Sequence, residues 1–317
     1  MKRVWLGALS CILFLYCGSV SAGEKGSAKR AFSLVIREGF GSSSVGDLNT
    51  TLYSLNHNPR YEYLRENFPE QCVGEIREVP NGYKDWEAEL QWAAWWGFSV
   101  GLAVSGPTRF YDKSFLTYSI AEGLRQTNDD TYESEIRVSA PVKLNLYRSF
   151  PIISRVNVAI NAGIGYYRAR MTQTHISYEH NPSDGEWLSS FYWDVSGRRV
   201  GFHCGFALEY KFNDRFSMTA ESQWRFAKIN SLEGTIHFTT QVFDEYGNLG
   251  LTFAGSDEGP LYHFYGQDLL LGVEIEKLHV TSLEVPFSGI DFPRDIRKAF
   301  LDLSGFTFKI GLRIRLF

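Results

Sequence analysis

Apolar and polar residues alternate one for one through much of this chain. In the closing segment, Phe306, Phe308, Ile310, Leu312, Ile314 and Leu316 share one parity, and Thr307, Lys309, Gly311, Arg313 and Arg315 share the other. Successive side chains of a strand point to opposite faces, so this segment reads as a strand greasy on one side and cationic on the other. The pattern recurs at residues 31–40, 86–105, 132–147, 155–171, 200–212 and 216–226, and more weakly at 109–123. The second face of 86–105 is small or polar apart from Trp95, which suits a narrow interior. Pro141 within 132–147 predicts a bulge, because proline has no N–H for the ladder. Longer polar stretches separate some of these runs. Residues 41–85 hold a short helix that Asp47 could cap, with Leu48, Leu52 and Leu55 on one stripe. Residues 173–197 and 230–297 read as long loops, the second with strand-like pieces at 236–243 and 269–275.

Eight such strands predict an all-β fold: an antiparallel up-and-down transmembrane β-barrel of about eight strands, with ten possible, and long extracellular loops. Trp96, Phe98, Leu102, Val142, Ile160, Phe206, Leu312 and Ile314 then form part of a lipid-facing wall. Short connections fall at Gly106-Pro107, at 149–154 and at Asn213-Asp214, and long ones after the first, fifth and seventh strands. That asymmetry puts both termini in the periplasm, with the loop near Thr127 as the exception.

The N-terminus supports export. Lys2 and Arg3 precede a mostly apolar run from Val4 to Tyr16, and Val20-Ser21-Ala22 suits cleavage after Ala22. The expected division is a signal peptide at 1–22 and one barrel domain at 23–317. The apolar run is short for a helical span of about 20 residues, and no later run reaches that length. Tyr16 before Cys17 does not suit a lipoprotein signal. Cys11 and Cys17 leave with the signal, so Cys72 and Cys204 cannot make a disulfide framework. The formal net charge of −4 becomes more negative once Lys2 and Arg3 are removed, so no basic field exists for nucleic acid.

Candidate chemistry is sparse. His203, Glu209, Glu221 and Arg225 share the inward parity, which a narrow barrel would need for a hydrogen-bonded filling. Lys143, Glu209, Glu221 and Arg313 are expected to join in one lumenal ion network that blocks water flow. His175 and Ser177 share a strand face and form a weak hydrolase candidate; Asp129-Asp130 with His263 is another. His175 and His180 are five apart, on opposite faces, so a shared metal is not expected. Gly163 and Gly165 lie on a strand face, not before a helix, which argues against a phosphate loop. Tyr262, Phe264 and Tyr265 match no motif. No catalytic residue, cofactor or metal is assigned.

Residues 140–147, 156–167 and 304–317 carry a resemblance to small eight-stranded bacterial outer-membrane β-barrel proteins, a set that includes relatives of outer-membrane protein W and many uncharacterised proteins. The resemblance implies residence in the bacterial outer membrane and contact with its lipids and lipopolysaccharide. It also implies recognition by the barrel-assembly machinery through the terminal aromatic Phe317. That aromatic departs from the usual pattern by sharing parity with Arg313 and Arg315. The expected role is a non-enzymatic barrel that anchors surface loops for interaction or envelope integrity, with its ligand unknown. The alternatives are a narrow channel or conduit for small or apolar solutes, and a lipid-modifying hydrolase.

Overall fold

The computed structural model describes residues 31–94, 97–120, 126–181, 185–244, 246–268, 274–280 and 290–316. The proposed signal peptide, Trp96 and Phe317 lie outside them. Along the chain, β1 (Ala31–Ser42) leads to helices α1 (Asp47–Asn56) and α2 (Pro59–Asn67) and to β2 (Cys72–Glu75). Then come β3 (Gly82–Ala93), β4 (Phe98–Ser105), β5 (Thr108–Ile120), β6 (Gln126–Val138) and β7 (Val142–Ile153). Two very long strands follow, β8 (Val156–Asn181) and β9 (Gly185–Lys211), and then β10 (Phe216–Phe226). The last third holds β11 (Lys228–Ile229), β12 (Glu233–Phe243), β13 (Leu249–Asp268), β14 (Glu274–Val280), β15 (Ile290–Lys298), β16 (Leu301–Asp302) and β17 (Gly305–Arg315).

Eight of these strands form a ring. β1 pairs with β3, then β4, β7, β8, β9, β10 and β17 follow, and β17 pairs back with β1, antiparallel at every step. The ring has the expected number of strands but a different membership, and the described residues hold seventeen strands in all. Residues 86–105 are not one strand. The chain reverses at 94–97, where Gly97 takes φ +75 and the Ala94 N–H bonds to the Phe98 carbonyl at 2.9 Å. Because an odd number of residues separates the register partners Ala93 and Ser99, the even positions keep facing outward on both sides of the reversal: Leu90 lies opposite Leu102, and Trp92 opposite Val100. Alternation alone therefore runs straight through the turn.

Of residues 109–123, the described ones, 109–120, lie outside the ring, and 121–123 fall outside the described residues. β5 pairs with β6, and β6 with the upper half of β8. Residues 132–147 divide at Pro141, which is a corner rather than a bulge. Parity inverts there. Ile136 and Val138, expected outside, are buried; Val142, Leu144 and Leu146 beyond the corner are exposed. In the long intervals at 173–197 and 230–297 the described residues are mostly strand, not loop, while most of the expected piece at 269–275 lies outside the described residues. Asp47 is not a cap: Gly46 holds the N-cap position of α1, and the Asp47 carboxylate instead accepts from Arg297 and from the Phe300 N–H at 2.9 Å.

With this membership the connections sort cleanly. The short turns at 94–97, 154–155 and 212–215 share one rim with Ala31 and Arg315. At the last of them Asn213 Oδ1 accepts from the N–H groups of Arg215 (2.8 Å) and Phe216 (2.9 Å). Every long excursion leaves the other rim: 43–81, 106–141, the β8–β9 extension and 227–304. The loop near Thr127 is no exception, since it joins two strands outside the ring. Gly106-Pro107 is not a rim turn of the short kind but the start of a long excursion.

Beyond that second rim the sheet opens into an upper layer, in the order β2–β5–β6–β8–β9–β12–β13–β14, with β15 also on β13. Its inner face is mostly apolar, with Asp130, Ser134 and Gln173 among the buried polar exceptions. Leu48 and Leu52 of α1 pack with Leu116, Ile136, Met171 and Trp193 among others. β8 passes through both layers without changing parity, but its chemistry inverts. Ile160, Ile164 and Tyr166 face outward below, and Arg168 and Arg170 above; Asn161 and Gly165 face inward below, and Ala169 and Met171 above. β9 inverts at the same level, from Phe206, Phe202 and Val200 to Arg198 and Asp194, and Arg168 is the direct partner of Arg198.

Candidate functional site: the filled interior of the ring

Inside the ring, charged groups take the positions that a soluble sheet would give to aliphatic ones. β1 carries Arg37, β3 carries Asp85, Glu87, Glu89 and Gln91, and β7 carries Lys143, Asn145 and Tyr147. β9 and β10 supply His203, Glu209 and Glu221, and β17 supplies Lys309 and Arg313.

Arg37 is the hub. Its Nη1 lies 2.6 Å from Glu89 Oε2 and 3.0 Å from Glu87 Oε1, and its Nη2 lies 3.1 Å from Glu221 Oε2. A planar guanidinium fork can reach carboxylates on two strands at once, which a lysine ammonium does less well. Glu87 Oε2 accepts from Lys143 and Lys309, each at 2.8 Å, and from Ser105 at 3.1 Å. Lys309 also lies 3.0 Å from Asp85. Glu89 accepts from Asn145 (2.6 Å), from the Tyr147 hydroxyl (2.9 Å) and from Gln91 (2.8 Å). Gln91 in turn accepts from Arg313, whose Nη1 lies 3.0 Å from Glu209 Oε1. Glu209 further accepts from Ser217 at 2.6 Å and Asn157 at 3.0 Å. Asn161 donates to Glu221 at 2.8 Å. His203 Nε2 donates to Asn145 Oδ1 at 2.5 Å, the only polarity this pair allows.

These contacts form one connected network. Arg37, Glu87 and Lys309 are each no more than 2% exposed, so ions unpaired at those depths would carry a severe desolvation penalty. Two interior glycines leave room for the larger groups. A Cβ on Gly101 would sit 1.9 Å from Glu89 Oε1, and one on Gly163 would sit 2.4 Å from His203 Nε2.

The network is roofed. Arg225 lies over the rings of Tyr83 (5.4 Å) and Tyr167 (5.6 Å) and donates to the Leu303 carbonyl at 2.5 Å. A cavity of only about 10 Å³ remains there, between Tyr83, Asp85, Lys143, Arg225 and Leu303. That is room for about one water. The apolar core of the upper layer lies beyond.

The four residues expected to form the network enter it by different contacts. Arg313 meets Glu209 directly. Lys143 and Glu221 do not touch those two; they join through Glu87 and Arg37. Sequence reading missed Arg37, Glu87, Glu89 and Lys309 as members, although their polar parity was visible. On the outside of the ring, Leu102, Val142, Phe206 and Leu312 are about half exposed, and Phe98, Ile160 and Ile314 are partly so.

Elsewhere, His175 Nε2 lies 3.0 Å from Asp130 Oδ1, with its ring stacked on Tyr132 at 4.2 Å between centroids. Ser177 is the register partner of Asp130, but among the described residues no hydrogen bond joins it to His175. Asp129 accepts from Thr117 at 2.6 Å. His263 is on β13, separated from Asp129 and Asp130 on β6 by β8, β9 and β12. His180 pairs with Glu186 at 3.2 Å. Among the described residues no cluster of three His, Cys, Asp or Glu could hold a metal. Tyr262, Phe264 and Tyr265 lie on β13 between β14 and β15. Outside the ring, hydrogen bonds from Arg137 hold the Glu135 carboxyl below the usual carboxylate range, and burial raises the Cys72 thiol.

No family model matches this chain, and no curated protein does. Among solved structures it is similar to a major outer membrane protein from Thermus thermophilus, at 11% identity over 91% of this chain and 100% of that one, with a TM-score of 0.32. It is also similar to the outer membrane protease OmpT from Escherichia coli, at 9% identity over 93% and 100%, with a TM-score of 0.23. A Pseudomonas aeruginosa FadL homologue matches at 7% identity over 90% of each chain, with a TM-score of 0.19. Scores this low leave the fold assignment to the ring's own pairing.

Proposed function

We propose that this protein is a non-enzymatic β-barrel of the bacterial outer membrane, and that its filled lumen anchors a folded surface domain for interaction or envelope integrity. The observation that carries the reading is the inverted ring: Leu102, Phe202, Phe206, Ile310 and Leu312 stay exposed on its outside while its inside holds a buried ion network. Water would disfavour that outer face, and hydrocarbon would accept it. The apolar stretch of β8, from Val156 to Tyr166, rises roughly 26 Å at about 3.4 Å per residue and a tilt near 40°, which matches a band of about 25 Å.

On this reading the rim with the short turns faces the periplasm and the upper layer faces outward. The signal peptide is removed after Ala22, Phe317 addresses the barrel-assembly machinery, and lipopolysaccharide surrounds the wall. Kinship with relatives of outer-membrane protein W is part of the proposal. The network and its roof support a closed lumen over a channel. A second reading, a lipid-modifying hydrolase, draws on the Asp130–His175 pair but has no nucleophile bonded to it.

Cell fractionation and planar-bilayer recording test the proposal. The folded chain should sediment with the outer membrane, migrate differently from boiled protein on gels, and give no steady conductance. A soluble periplasmic monomer would remove the barrel reading; reproducible single-channel steps would replace the anchor with a pore.

A further inference from the structure

We infer that Arg168 and Arg198 form a docking site for the phosphorylated headgroup of an anionic membrane lipid. Both are exposed on the outer face of the sheet, and they are direct cross-strand partners on β8 and β9. One pleat below them lie Tyr166 and Val200, 45% and 52% exposed, the last apolar pair of the wall. The two guanidinium groups therefore stand where the apolar band ends, at the level a lipid headgroup would occupy.

Like charges directly opposite one another destabilise a sheet. Neighbouring arginines above the inversion are neutralised by acids. Arg170 donates to Asp194 at 2.7 Å, and Arg137 donates to Glu135 at 2.7 Å, a carboxylate that also pairs with Arg109. Among the described residues, Arg168 and Arg198 meet no acidic partner. Two unneutralised guanidinium forks side by side match the geometry of a phosphate, whose oxygens accept bidentate hydrogen bonds. The lipid is favoured over a free anion because the site is continuous with the wall: acyl chains would lie along Tyr166, Ile164 and Val200 while the phosphate meets the arginines.

This inference rests on the membrane reading, so the test uses folded protein in detergent and reads lipid binding directly. The full mature chain is titrated with bis-phosphorylated lipid A, with the same lipid after dephosphorylation, and with inorganic phosphate, and bound lipid is counted by native mass spectrometry. Wild-type protein should bind the phosphorylated lipid preferentially. The double variant Arg168→Gln/Arg198→Gln should lose tenfold or more in affinity, about 1.4 kcal/mol, while Arg109→Gln should keep wild-type binding. Thermal unfolding on the same samples guards against misfolding. The lipid should raise the midpoint of wild type and not of the double variant, whose lipid-free midpoint should match or exceed wild type because the repulsion is gone. Equal binding by the double variant, equal binding of the dephosphorylated lipid, or displacement of the lipid by inorganic phosphate would overturn the inference. A failed fractionation with intact lipid binding would instead sink the outer-membrane reading alone.

Discussion

Replacing Arg37 with methionine should be among the most damaging single changes inside the ring. The side chain is 2% exposed and lies within 3.1 Å of three carboxylates, Glu87, Glu89 and Glu221. At an effective dielectric near 20, each contact at about 3 Å represents roughly 5 kcal/mol of Coulomb attraction, most of it offset by desolvation of the charges. Removing one partner of a buried pair and leaving the other costs about 3–5 kcal/mol. Glu87 keeps Lys143 and Lys309, and Glu89 keeps Asn145, Tyr147 and Gln91. Among the described residues Glu221 keeps Asn161 and a long contact from Gln223 at 3.4 Å, so most of the loss should fall there. Arg37→Met should therefore lower stability by about 3–5 kcal/mol, and Arg37→Met/Glu221→Gln should recover part of that loss. Urea unfolding in lipid vesicles, followed by tryptophan fluorescence and by gel mobility of the folded form, measures both. Arg37→Met below about 1 kcal/mol, or strict additivity in the double variant, would show that the network is not coupled as drawn.

Leu102→Arg, Phe206→Arg and Leu312→Arg should each cost about 2–4 kcal/mol of barrel stability and reduce assembly into the outer membrane. Thr172→Arg, on the same outward parity of β8 but above the inversion, should assemble normally; equal damage at all four sites would put the boundary in the wrong place. Gly101→Val should destabilise the ring, because its Cβ would fall 1.9 Å from the Glu89 carboxylate, and vesicle unfolding midpoints would register it. Glu135 has its carboxyl pKa depressed by Arg137, so its contribution is present above the ordinary carboxylate pKa and lost as pH falls through the lower folded value. Limited proteolysis of the β5–β6 hairpin should accelerate in that acid window, and Glu135→Gln should abolish the pH dependence. His175→Ala should leave the lipid A profile of cells unchanged by mass spectrometry; loss of a deacylated species would revive the hydrolase reading.

The sequence by itself determined the chemistry of each face. Within β17, β10 and the lower halves of β8 and β9, alternation separates Phe308, Ile310 and Leu312 from Lys309 and Arg313, because side-chain direction on a strand follows parity alone. That sufficed for an antiparallel ring with a polar interior. Three features needed the tertiary structure. The reversal between β3 and β4 is silent in alternation because an odd number of residues between the register partners Ala93 and Ser99 preserves parity. The inversion at Pro141 depends on which wall each half of 132–147 joins, and β6 and β7 pack on different layers. The ion pairs join residues distant in sequence, such as Arg37 with Glu221 and Lys309 with Glu87. Parity says that such groups face inward; only ring closure, which brings β1, β3, β10 and β17 side by side, decides which charge meets which.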